Sequence, residues 1–83
     1  MEKHYLAIEY AEKALKANDK NGFAYVTLAE TYAFMGNDEV FYKNIEQALK
    51  CNFPVWEYLD EITFEKYHKQ TRFSNLIKKY RKK

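Results

Sequence analysis

The chain has little of what builds sheets, disulfide scaffolds or catalytic loops. Two glycines and one proline stand among 83 residues, which suits helices joined by short turns. Valine and isoleucine are too few, and alternate too rarely, for a sheet. The single Cys51 excludes an internal disulfide, and a reducing, cytoplasmic setting is the simplest expectation. Ser74 is the only serine. There is no nucleophile triad, no glycine-rich phosphate loop and no paired-acid motif, so the sequence does not read as an enzyme. His4 and His68 lack companions at ligand spacing, so neither a metal nor another cofactor is expected. The opening MEKHYLAIEY contains acids and no long apolar run. It is neither a secretion signal nor a membrane span.

Charge is missing locally in one sign. Residues 66–83 hold eight Lys/Arg and no acid, whereas residues 1–65 hold six Lys/Arg against twelve Asp/Glu. The net charge of +2 thus averages an acidic body and a basic end. Aromatics are abundant, with eight Tyr, six Phe and one Trp. They give a small domain large contact areas from few residues, which matters because a chain this short buries only about 60% of its unfolded surface.

The most informative pattern is internal. Residues 11–18 read AEKALKAN and residues 45–52 read IEQALKCN, 34 positions on, with five of eight residues identical. Repeats at that period stack as helical units, each burying its apolar face on its neighbour. Apolar spacing predicts helices over about 2–17, 23–35 and 39–51, with stops at Asn18–Gly22, Gly36-Asn37 and Asn52–Pro54. Asp38 is expected to cap the third helix and Thr71 the last. After Pro54 the repeat degrades into a short helix near Val55, another turn or two around Ile62–Tyr67, and a final helix with Phe73, Leu76, Ile77 and Tyr80 inward. The expected fold is all-α, a right-handed stack of helical hairpins with four to six helices.

Residues 22–55 carry Tyr25, Leu28-Ala29, Tyr32, Gly36, Phe41, Ile45 and Ala48-Leu49, with Pro54 one place late. This resembles the tetratricopeptide repeat. Two departures stand out: Ala29 replaces the usual Gly, and Phe41 replaces the usual Ala, so a neighbour must offer a gap or the helices must separate. The resemblance divides the chain into a lone second helix of a partial repeat (1–21), a complete repeat (22–53) and degenerate closing helices (54–83). It suggests a C-terminal piece of a longer protein; the alternative is a small protein with an N-terminal capping helix.

The resemblance implies protein or peptide binding in a concave groove, with Phe23, Val26, Glu30, Ala33, Asp60 and Phe64 as candidate lining residues. Val26, Thr27 and Glu30 stand where a clamp for an acidic chaperone C-terminus needs basic or amide groups. The expected ligand is therefore neutral or basic with an apolar anchor. The alternative function is structural, as the cap of a longer array or a homodimerisation unit. Tyr5, Leu6 and Tyr10 form the candidate self-association patch on the first helix. Binding of nucleic acid or an anionic membrane by residues 66–83 ranks third, because Phe73, Leu76, Ile77 and Tyr80 are already explained as core contacts.

Overall fold

A computed structural model of the protein describes residues 2–58 and 61–81, with side chains described for all of these except 2 and 61–64. It is all-helical: α1 (Glu2–Ala17), α2 (Gly22–Phe34), α3 (Asp38–Lys50), a 3-10 turn (Val55–Glu57), α4 (Glu61–His68) and α5 (Thr71–Arg81).

Local chemistry sets the helix ends. The Asn21 side chain accepts from the Ala24 N–H at 3.1 Å and starts α2. At its far end Gly36 takes φ 81°. There the Gly36 N–H donates to Ala33 O and the Asn37 N–H to Tyr32 O, the paired bonds of a Schellman end. The same pair closes α3, from the Asn52 N–H to Leu49 O and the Phe53 N–H to Ala48 O. Here a non-glycine residue, Asn52, takes φ 62°; asparagine tolerates this conformation better than most residues.

Two starts differ from expectation. The cap of α3 is Asn37, whose side chain accepts from the Val40 N–H at 3.2 Å. Asp38 is the first helical residue, and its carboxylate turns to Tyr67 and Lys66 instead. Thr71 is likewise already inside α5, and the Gln70 carbonyl accepts from the Phe73 and Ser74 N–H groups.

Helices α2 and α3 pack as a hairpin, with α1 on one side of α2 and α4–α5 on the other flank. The main core joins Val26, Phe41, Ile45, Leu49, Tyr67 and Phe73. A smaller cluster of Ala11, Ala24 and Leu28 seats α1, with Ile8, Ala14 and Leu15 packed against it. The matched residues Leu15 and Leu49 thus both face inward from their helices. Phe41 finds its gap in the neighbour: its ring stacks on Tyr67 at 3.7 Å between centroids, 9° from parallel, with Phe73 at 6.2 Å. Ala29, where the resembled family prefers Gly, is 0% exposed.

Candidate interaction surface

Helix α2 positions the expected groove residues, and the structure separates them. Phe23, in its first turn, is 57% exposed. Glu30 and Ala33 are half-buried, and Ala33 packs on the core. Val26 is a correction: it is 2% exposed and belongs to the main core. It cannot line an open groove, because the packing that seats Phe41 and Tyr67 also covers it, and a lysine there would bury a charge in an apolar site. Asp60 lies outside the described residues. For Phe64 only the backbone, within α4, is described.

Phe23 has aromatic neighbours that spacing alone did not bring to it. The Phe53 ring lies 6.4 Å away, and Tyr58 meets it edge-on at 6.1 Å and 78°. Phe53 and Tyr58 lie 4.7 Å apart. Tyr58 is 46% exposed, while half-buried Phe53 packs against the main core, so Phe23 and Tyr58 form an open aromatic platform rooted in the core through Phe53. Edge-to-face packing of this kind orders large rings without hiding them. The signal for Phe53 was present in the sequence: an apolar residue just after a left-handed Asn folds back over a Schellman end. Tyr58 carries no such mark. On the other side of Phe23 a depression of about 460 Å³ runs between α1 and α2, bordered by Tyr10, Ala14, Ala24 and Thr27. At the far end of α2, Phe34 and Met35 are also exposed, and His4 stacks on Phe34 at 6.4 Å.

The self-association candidates are all exposed but do not form one patch. Successive helical residues turn about 100°, so Tyr5 points about 140° away from Tyr10, while Leu6 and Tyr10 share a side. Tyr5, Leu6 and Tyr10 are 68%, 64% and 79% exposed.

The basic end is partly engaged with the acidic body. Lys66 pairs with Asp38 at 3.2 Å, and Arg72 reaches Glu39 with two nitrogens at 3.0 and 3.4 Å. The Arg72 guanidinium also lies 4.0 Å above the Tyr42 ring. Tyr80 donates to Glu46 at 3.2 Å, and Arg81 lies 4.8 Å over Trp56. The Tyr67 hydroxyl donates to Asp38 at 2.6 Å and holds that carboxyl below its usual range; burial pushes the Tyr67 hydroxyl itself well up.

Among the described residues no three His, Cys, Asp or Glu side chains gather as a metal site, and no helix is long and apolar enough to cross a membrane. No family model, curated protein or solved structure matches this chain.

Proposed function

We propose that the chain is a tetratricopeptide-like interaction module that captures a neutral or basic segment of a cytoplasmic protein by an apolar anchor. The observation that carries this reading is the Phe23–Phe53–Tyr58 platform at the head of α2, with Phe23 and Tyr58 exposed. Exposed aromatics that are already packed edge-on lose little freedom on binding, which is why such rings dominate interface energetics. Glu57, exposed beside the platform, favours a neutral or basic flank over an acidic one.

Fluorescence titration of the intact chain with short peptides carrying one Trp or Leu anchor and neutral or basic flanks tests this. Phe23→Ala should weaken capture about tenfold or more, with an unchanged thermal melt. Capture confined to peptides with acidic C-termini, or binding indifferent to Phe23→Ala, refutes the reading.

A second reading, the structural cap of a longer array, draws on the open outer side of α1. Under it Phe23→Ala is silent in every binding assay, while loss of Phe73, 2% exposed in α5, unfolds the domain.

A further inference from the structure

Helix α1 has a side that the rest of the chain leaves uncovered. Exposed Leu6, Tyr10 and Ala17 fall within an arc of about 40°, and half-buried Ala14, which packs toward α2, lies at its edge. Tyr10 stands 34 residues before Asn44 in the repeat, yet their surroundings are opposite: Tyr10 is 79% exposed and Asn44 is 9% exposed. The position that is covered on α3 is therefore open on α1. It borders the depression between α1 and α2, which offers a seat for a further helix.

We propose that the seat is filled by a second copy of this chain, its α1 antiparallel to the first across a twofold axis near Tyr10. Charge and shape both favour a copy. Over Glu2–Ala17, three acids balance three lysines, so two α1 helices approach without net repulsion. Glu9 and Lys13 lie 3.8 Å apart along one flank of the strip. An antiparallel copy sets each Glu9 beside the other's Lys13, so the four charges alternate in sign. With the axis between Tyr10 and Ala11, Leu6 of each copy comes within about one residue step of the other's Ala14, as Glu9 does of Lys13, and the two Tyr10 rings meet near the axis. Such a contact is isologous and closes on itself, so it makes a dimer and no filament. One helix laid against another makes a contact below the standard interface size, so the dimer is weak and concentration-dependent. Phe23 also lines the depression between α1 and α2, so the two readings share one residue, and separate variants tell them apart: Tyr10→Glu reads the dimer and Phe23→Ala reads peptide capture.

Sedimentation equilibrium of the full chain between about 10 µM and about 1 mM tests it. The wild type should pass from monomer to dimer over this range, and Tyr10→Glu should remain monomeric with unchanged helical circular dichroism, since Tyr10 is exposed. Glu9→Lys alone should weaken the dimer several-fold, and the combination Glu9→Lys with Lys13→Glu should restore it. A wild type that stays monomeric throughout overturns the proposal. So does a dimer that survives Tyr10→Glu, or one that the charge exchange fails to restore.

Discussion

At the scale of single residues, absence of a side chain does as much as presence. Gly22 sits at the first position of α2 beside the root of Phe53. A Cβ built there falls 2.5 Å from Phe53 Cβ and 2.6 Å from its ring carbon Cγ. These atoms cannot swing aside without moving the Schellman end that carries them. Gly22→Ala therefore costs about 1–3 kcal/mol by overpacking, despite alanine's better helix propensity, and should lower the melting temperature accordingly. A melt raised by the substitution would show that the end of α3 yields freely. Gly36 is different: nothing crowds it, and its φ of 81° alone selects glycine.

At the scale of elements, α3 is the hub and the Tyr67–Asp38 bond is its tie to α4. Its pH dependence has two limbs. The folded-state pKa of Asp38 is lowered, chiefly by the Tyr67 hydrogen bond. That contribution is present above the unfolded carboxylate pKa of about 3.9 and is lost as pH falls through the lower folded value. The folded-state pKa of Tyr67 is raised, chiefly by burial. That contribution is present below the unfolded phenol pKa of about 10 and declines as pH rises beyond it. Thermal melts of Tyr67→Phe should show a shallower loss of stability on both limbs than the wild type; curves of identical slope would separate the bond from stability.

Much at this scale was legible beforehand. Helix bounds for α2 and α3 fell one residue early of expectation, because Gly36, Asn37 and Asn52 act on their own neighbours. What was illegible depended on residues far along the chain. Val26 reads as a groove residue from its place on α2, but its burial comes from the main core it shares with Tyr67 and Phe73. Asp38 reads as a cap until Tyr67, 29 residues on, claims its carboxylate. Phe23 was legible as a groove candidate and Phe53 as the apolar residue over a Schellman end, whereas nothing in the period places Tyr58 beside them. The degeneration of the repeat is also measurable: Phe73, Ile77 and Tyr80 follow Phe41, Ile45 and Ala48 by 32 residues rather than 34, so two positions are missing before the last helix.

At the scale of the whole molecule, stability is graded along the chain. Six residues of α3 are buried, and among the described side chains of α1 only Ala11 is. Helix α1 leans on α2 through small and half-buried groups, whereas α3 is joined to α4 and α5 by stacked rings and ion pairs. Local opening follows such differences in buried contact. Amide exchange in the Tyr10→Glu variant, which keeps α1 free of a second copy, should therefore be about tenfold or more faster in α1 than in α3. Equal protection would mean that the chain opens only as one unit.

The exposed lysines and arginine of α5, Lys78, Lys79 and Arg81, give the molecule a blunt pole opposite the receptive α1. A further rung laid on that pole would have to strip water from several ammonium and guanidinium groups at once. Concatenated copies of this chain would therefore stay as beads on a string and would not fuse into one continuous rod.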